Sequence, residues 1–192
     1  LFDQHGSSWV LQAQRMDLQV MGYTLQASQL SALNPWMVLL IIPFFSVVLF
    51  PLLEKAGLKV TPLGKMTVGM FVTVLSFVAA TVVDVLLASG IQLHALWQVP
   101  QYLLLTAAEV LVSVTGLEFS YTQAPRSMKS TIMSIWFLTI FAGNMLTGLV
   151  SKLNFFQGWG YFAFFSVLML AAAVGFAFIA RSPRHITPAA AA

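Results

Sequence analysis

The sequence predicts an all-α membrane protein whose helices cross the bilayer. Apolar residues make up 59% of the chain and charged residues only 8%, and that charged share is about a third of the usual one. The apolar residues form long runs separated by short polar turns, which is typical of membrane-spanning helices. One of these runs also contains a carboxylate, that of Glu109. Together these features exclude a soluble domain.

Six apolar runs are long enough to cross a membrane. Charges, a glycine and a proline mark a loop at 54–62, and a similar loop lies at 124–129. No soluble domain is inserted between the runs. The predicted spans are 1–22, 34–53, 62–89, 98–121, 128–151 and 156–180.

The basic residues predict how these spans are oriented, because cytoplasmic loops carry an excess of lysine and arginine. With the loop at 53–62 on the cytoplasmic side, seven of the nine basic residues lie there, against Arg15 and Lys152 on the other side. Those seven are Lys55, Lys59, Lys65, Arg126, Lys129, Arg181 and Arg184. Both termini are then cytoplasmic, and the protein is expected to be a multi-pass protein of the cytoplasmic (inner) membrane. Because the chain starts at Leu1 with no methionine or signal peptide, we expect it to be cut from a longer polypeptide.

Composition also limits the partners and cofactors that the chain can use. The absence of cysteine excludes disulfides, thiolate metal sites and a cysteine nucleophile. His5, His94 and His185 lie too far apart in sequence to form a local metal motif. A net charge of +3 is too small to indicate a nucleic-acid partner. We therefore expect neither a metal nor nucleic acid.

Glu109 is the strongest candidate for a functional residue. It lies roughly 16 Å into the run that starts near Gln98, close to the middle of an ~30 Å hydrocarbon core, and an acid at that depth indicates a substrate or proton pathway. Ser113 follows four residues later on the same predicted helix face, so the pair can offer a carboxylate and a hydroxyl to an ammonium group. The alternative is that Glu109 pairs only with a structural partner on another helix. For Glu118, further along the run, we expect such structural pairing.

Other polar or aromatic residues inside the spans are weaker candidates. Trp136 lies too deep for an interfacial aromatic, so it either lines a cavity or is a core or lipid-facing side chain. Asn34 precedes a proline at the start of a span, where helix capping alone would explain it. Asp3 and Gln4 have no cation nearby in sequence, so Asp3 needs a partner, water or a proton. Asp84, near the outer end of its span, is expected to be a solvated end charge.

Nine segments of the sequence together carry a resemblance to a known family: 2–9, 34–35, 100–106, 108–110, 113–121, 123–125, 127–130, 136–139 and 143–144. They resemble the proton-coupled oligopeptide transporter family. A long and specific part of the resemblance is to the family's tenth and eleventh helices, while 2–9 resembles the seventh helix and 34–35 the eighth. The resemblance implies that the chain is the carboxy-terminal six-helix half of a twelve-helix major facilitator transporter, with the amino-terminal half outside this chain.

The resemblance further implies proton-coupled symport of di- and tripeptides by alternating access, with this half forming one wall of a central peptide site. It places Glu109 at the amino terminus of the peptide, Trp136 against its side chains and Asn34 within hydrogen-bonding reach of it. It links Asp3, with Gln4, to an extracytoplasmic gate and to proton coupling. The implied partners are peptides, membrane lipid and the amino-terminal half, and protons are the coupling ion in place of a cofactor.

Three other functions must be weighed. A major facilitator carrier of a non-peptide solute, such as an anion or metabolite, is the main alternative, because the family's first-helix motif lies outside this chain. Ser7, Ser8 and His5 superficially match an intramembrane serine protease, but no other histidine lies inside a span to form a Ser/His pair. A channel fits poorly, since a lone deep glutamate suits a binding pocket better than a ringed pore.

Overall fold

The computed structural model describes residues 2–20, 22–153 and 155–181, so Arg184 and His185 lie outside the described residues. Within these ranges, five helical stretches are long and apolar enough to cross a membrane. They are Ala27–Lys55, Pro62–Ala88, Ala95–Gln123, Arg126–Leu153 and Trp159–Ala180. Each of them overlaps one of the predicted spans from residue 34 onward.

The first predicted span, 1–22, is wrong as a single helix. The chain forms a 3₁₀ segment at Phe2–Gly6 and a short helix α1 at Ser8–Ala13, and there the helix ends. Strands β1 (Gln19–Val20) and β2 (Tyr23–Thr24) follow as an antiparallel hairpin. Gly22 in the turn has a φ of 84°, a backbone conformation that glycine adopts readily.

A long-range backbone contact explains why the helix stops. The backbone N–H of Asp17 donates to the carbonyl of Leu93 at 2.8 Å, and the N–H of Ala95 donates to the carbonyl of Asp17 at 2.8 Å. Asp17 forms a parallel bridge with His94, whose Nε2 lies 2.6 Å from the carbonyl oxygen of Gln19. Backbone that pairs in this way is extended, so the residues around Asp17 cannot continue α1 as a helix. They are hydrogen-bonded instead to the loop before residue 95.

Two of the long helical stretches are interrupted by a π turn. In the first of these stretches, a 3₁₀ segment (Ala27–Ala32) leads into α2 (Leu33–Phe44), a π turn (Phe45–Leu49) and α3 (Phe50–Lys55). Pro43 lies just before the π turn, and proline lacks the N–H that a regular helix needs. In the second stretch, a 3₁₀ segment (Ala95–Gln98), α5 (Val99–Glu109), a π turn (Val110–Val114) and α6 (Thr115–Gln123) follow one another.

The two π turns pack against each other. Phe45 of the first turn forms a buried apolar cluster with Val110 and Leu111 of the second, together with Ile41 from α2. Single π turns inside α-helices occur often at functional sites. The irregular part of the α5–α6 stretch begins directly after Glu109.

The core is formed around α4 (Pro62–Ala88), which packs against α5 and against α8 (Trp159–Ala180). Its first turn is capped by the Thr61 hydroxyl, which accepts from the N–H of Gly64 at 3.1 Å. Fully buried aromatic rings fill the centre, with Trp9 edge-on to Tyr102 at a centroid distance of 4.9 Å.

Helix α7 (Lys129–Leu153) follows a short 3₁₀ segment at Arg126–Met128 and differs from the other long helices. It has no buried residue, although it is apolar enough to cross a membrane. Its large exposed side chains include Phe137, Leu138 and Phe141. Because the rest of the chain buries so little of the surface of this apolar helix, lipid or another helix bundle must pack against it.

Candidate functional site

Asn34, Thr106 and Glu109 form a hydrogen-bonded chain between α2 and α5. The Asn34 side chain is buried, and its Nδ2 donates to Glu109 Oε2 at 3.1 Å. Asn34 Oδ1 lies 2.6 Å from the Thr106 hydroxyl, which lies 2.8 Å from the Tyr102 carbonyl oxygen and donates to one of the two. The explanation of Asn34 as a helix cap is wrong, because Asn34 is the second residue of α2 and its side chain bonds to α5.

The surroundings of Glu109 fix the carboxylate in place but do not neutralise it. Its partner Asn34 is a neutral amide, and in the described part of the chain the ion pairs within 4.0 Å do not include Glu109. The side chain is half-buried. A carboxylate can accept about four hydrogen bonds, so Glu109 keeps capacity for a cationic ligand such as an ammonium group.

Ser113 lies within the π turn that follows Glu109, and its side chain is half-buried. A π turn has i→i+5 hydrogen bonds, so the four-residue spacing between the two residues does not have the geometry of a regular α-helix. Among the side-chain hydrogen bonds of the described residues, none involves the Ser113 hydroxyl. The predicted pairing of the two side chains on one face remains a prediction.

Trp136 lies on α7 and packs on α6. Gly116 makes room for the indole ring, since a Cβ built on this glycine would lie 2.6 Å from Cη2 of Trp136 and 3.1 Å from the terminal methyl of Met66. Gly116 is seven residues after Glu109, roughly 10 Å further along the helix. The structure thus places the Trp136 ring against the helical stretch that contains Glu109, at a point about two turns further along it.

Asp3 and Gln4 lie at the start of the chain beside α7. The Asn144 side chain donates from Nδ2 to Asp3 Oδ2 at 2.6 Å. Gln4 is buried and accepts from the Ser8 hydroxyl at 3.0 Å, while its Nε2 has no protein partner. Together with Ser7, these side chains border a small cavity of about 320 Å³. Asp3 therefore has a neutral partner, Asn144, that spacing in the sequence did not indicate.

The protease interpretation finds no support in this region. His5 Nδ1 lies 2.7 Å from the Phe2 carbonyl oxygen, so it contacts backbone and not a serine hydroxyl. The Ser7 and Ser8 hydroxyls both contact Gln4. No Ser/His pair is formed by these residues.

Asp84 is not a solvated end charge, as its position predicted, but the centre of a buried polar network. The carboxylate is fully buried, forms an ion pair with Arg15 and accepts from Gln12 at 3.4 Å. The side-chain oxygen of Gln12, Oε1, in turn accepts from Nε2 of Gln98 and Nε2 of Gln101, both at 3.1 Å. The sequence signal for this network is the set of three glutamines, Gln12, Gln98 and Gln101, near the ends of apolar runs. Buried amides need hydrogen-bonding partners, so such residues indicate a polar network.

Comparison with known proteins gives one consistent family. The PTR2 (POT family) pattern matches residues 1–155. Solute carrier family 15 member 2 of Rattus norvegicus is 47% identical over 89 residues, which cover 46% of this chain and 12% of that protein.

Solved structures are similar over nearly the whole chain. The crystal structure of an auto-inhibited POT family peptide transporter has a TM-score of 0.86 at 37% identity, covering 100% of this chain and 39% of that one. A peptide transporter POT crystallised in complex with alafosfalin has a TM-score of 0.73 at 25% identity, covering 95% of this chain and 39% of that one. This chain therefore spans much less than two thirds of the length of these relatives. On the match over residues 1–155, the chain belongs to the POT family.

Proposed function

We propose that this chain is the carboxy-terminal six-helix half of a twelve-helix transporter that couples the uptake of di- and tripeptides to proton entry. Membership of the POT family supports this function, as does the relative that is described as a peptide transporter in complex with alafosfalin. The peptide lies between two halves and enters the cell by alternating access across the cytoplasmic membrane. None of the comparisons favours a non-peptide solute.

The observation that carries the proposal is the hydrogen-bonded Glu109 carboxylate inside a membrane span. A charge at this depth costs at least about 2.5 kcal/mol, so a purely structural role would favour a neutral side chain. Asn34 orients the carboxylate with a single neutral hydrogen bond, which leaves its charge available. In our proposal the free amino terminus of the peptide forms an ion pair with Glu109, and the Ser113 hydroxyl accepts a further hydrogen bond from the same ammonium group.

The other site residues follow from this arrangement. Trp136, about two turns from Glu109, contacts the side chains of the peptide. The carboxylate of the peptide binds a basic site of the other half. Asp3 and Gln4 belong to the extracytoplasmic gate, where Asp3 takes part in proton coupling. The amide contact from Asn144 holds Asp3 in place without the fixed charge that a lysine or arginine would bring.

Uptake of a labelled dipeptide by the full-length protein in liposomes tests the transport function. We expect uptake to rise when a proton gradient is imposed and to stop when an ionophore dissipates it. Equal uptake with and without the gradient would contradict proton coupling, and gradient-driven uptake of an anion but not of dipeptides would favour the non-peptide carrier.

Glu109→Gln tests the site. The substitution keeps the shape but removes the charge, and the loss of one partner of a desolvated ion pair costs about 2–5 kcal/mol, which is at least tenfold in affinity. We expect affinity for a free dipeptide to fall, while the already weak binding of an amino-acetylated dipeptide changes little. Glu54→Gln, an exposed glutamate elsewhere in the chain, is the matched control. Parallel losses for both ligands would mean that Glu109 is only structural.

A further inference from the structure

A second, larger cavity lies away from Glu109, between the start of α4, the α6 helix and the end of α8. Its volume is about 790 Å³. It lies at the end of the bundle that the distribution of basic residues predicts to be cytoplasmic. None of the predicted site residues lines it. Nothing in the proposed peptide transport uses this cavity.

The cavity contains both signs of charge. Lys65 and Arg181 line it together with Glu118. In the ranges that the structure describes, Glu118 is exposed and forms no ion pair within 4.0 Å. Lys65 is half-buried, with Nζ 3.8 Å from the centroid of the Phe50 ring. The separated charges match a ligand that carries an ammonium and an anionic group at once.

The rest of the lining is apolar, which distinguishes a lipid from a soluble zwitterion. Val68 and Ala177 line the cavity. Beside Ala177 on α8, Phe178 is 73% exposed and Ile179 is 59% exposed, so this end of the helix presents apolar side chains to the outside. Pockets with basic residues between membrane helices on the cytoplasmic side are suited to lipid headgroups. A lipid headgroup can sit in the cavity while its acyl chains lie against α8.

We propose that this cavity binds phosphatidylethanolamine, with its primary ammonium on Glu118 and its phosphate on Lys65 and Arg181. The ammonium of this lipid donates hydrogen bonds to a carboxylate, whereas the trimethylated ammonium of phosphatidylcholine cannot. Phosphatidylglycerol has the phosphate but no ammonium, so Glu118 would repel it. Of these three lipids, only phosphatidylethanolamine satisfies the charges of Glu118, Lys65 and Arg181 together.

Lipid retention by the purified full-length protein tests this proposal. The protein is equilibrated with equal amounts of phosphatidylethanolamine, phosphatidylcholine and phosphatidylglycerol, and bound lipid is measured by native mass spectrometry. We expect phosphatidylethanolamine to be retained about tenfold more than phosphatidylcholine, as one charge-assisted hydrogen bond implies. Glu118→Gln should remove most of this preference, and Arg181→Gln should lower the retention of both lipids, because both carry the phosphate. Glu54→Gln, outside the cavity, should change neither.

Three results would overturn the proposal. The first is equal retention of phosphatidylethanolamine and phosphatidylcholine, and the second is a preference for phosphatidylglycerol that Glu118→Gln does not alter. The third is displacement of the bound lipid by a dipeptide, which would make the cavity a second peptide site. The melting temperature of each variant is measured in parallel. If Glu118→Gln unfolds the protein, Arg181→Gln decides, because Arg181 is exposed at the end of α8. Unchanged retention of phosphatidylethanolamine in that variant would overturn the proposal.

Discussion

The side-chain amide of Asn34 is hydrogen-bonded to the carboxylate of Glu109 at 3.1 Å, although 75 positions separate the two residues. The bond joins the start of α2 to the end of α5, directly before the π turn. Thr106 extends the chain of hydrogen bonds on the other side of Asn34. Any movement of α2 relative to α5 therefore moves or breaks the contact that orients Glu109.

Under the proposed function, this relationship predicts that Asn34→Leu weakens peptide binding through Glu109. A hydrogen bond to a charged group contributes about 1.5–3 kcal/mol, so we expect roughly tenfold or greater loss of affinity for a free dipeptide. Thr106→Val should cause a smaller loss, because Thr106 contacts Asn34 and not the carboxylate. Equilibrium binding of a dipeptide to the full-length protein measures both effects. A larger loss in Thr106→Val than in Asn34→Leu would contradict this order.

Five of the six predicted membrane spans agree with the structure, because they depend on local sequence. A bilayer requires every backbone polar group to be satisfied within its own segment, so a long apolar run indicates a helix directly. The break near Ala13 could not be predicted in this way, since it depends on the pairing of Asp17 with Leu93 across 76 positions. The structure of the first predicted span is set by a distant loop.

Local patterns point to candidate residues, but they do not indicate the contacts that these residues make. Asn34 and Glu109 are candidates from local patterns alone, and no local pattern indicates that they are hydrogen-bonded to each other. The burial of Asp84 was missed for the same reason, since its partner Arg15 lies 69 positions away. The π turn after Glu109 was also missed, because the apolar residues around it fit a regular helix equally well.

Gly69, inside a membrane span, is predicted to be sensitive to the addition of a single methyl group. A Cβ on Gly69 would lie 2.7 Å from both Leu111 Cβ and Val112 Cγ2, in the π turn beside Glu109. Overpacking of this kind costs about 1–3 kcal/mol, so Gly69→Ala should lower the melting temperature. Gly143→Ala is the matched control, because a Cβ there has no atom within 4 Å. Equal melting temperatures for the two variants would contradict close packing at Gly69.

The ion pair between Arg15 and Asp84 predicts an asymmetric response to mutation. Removal of one partner of a buried pair costs about 3–5 kcal/mol because the other charge is left buried. We expect Arg15→Gln to be destabilising, towards the lower end of that range since the Arg15 side chain is 46% exposed. Asp84→Asn should reduce the stability less, because the Arg15 side chain that it leaves without a partner can be solvated by water.

The double variant Arg15→Gln/Asp84→Asn checks the coupling between these residues. Because it leaves no buried charge unpaired, its loss of melting temperature should be smaller than the sum of the two single losses. Gln101 stays in place in all variants and keeps its bond to Gln12. Additive losses would mean that the two side chains contribute independently, and the pair would then not stabilise the bundle as an ion pair.

The final prediction concerns the orientation of the chain in the membrane. It does not depend on the first predicted span, 1–22, because it uses only later stretches. From Lys59 to Lys152 the chain crosses the membrane three times, and Lys152 lies at the end of the third crossing. The three stretches are Pro62–Ala88, Ala95–Gln123 and Arg126–Leu153. An odd number of crossings places the two residues on opposite sides of the membrane, and the excess of basic residues places Lys59 in the cytoplasm. Both side chains are exposed.

Cysteines substituted singly at these two positions of the full-length protein measure the topology directly. In intact cells, a membrane-impermeant thiol reagent should modify Lys152→Cys but not Lys59→Cys, and both should react after the membrane is permeabilised. Modification of Lys59→Cys alone would invert the orientation and move the cavity lined by Glu118 to the outside. Modification of both in intact cells would contradict the count of three crossings, because an odd number of crossings cannot leave both ends on one side of a bilayer.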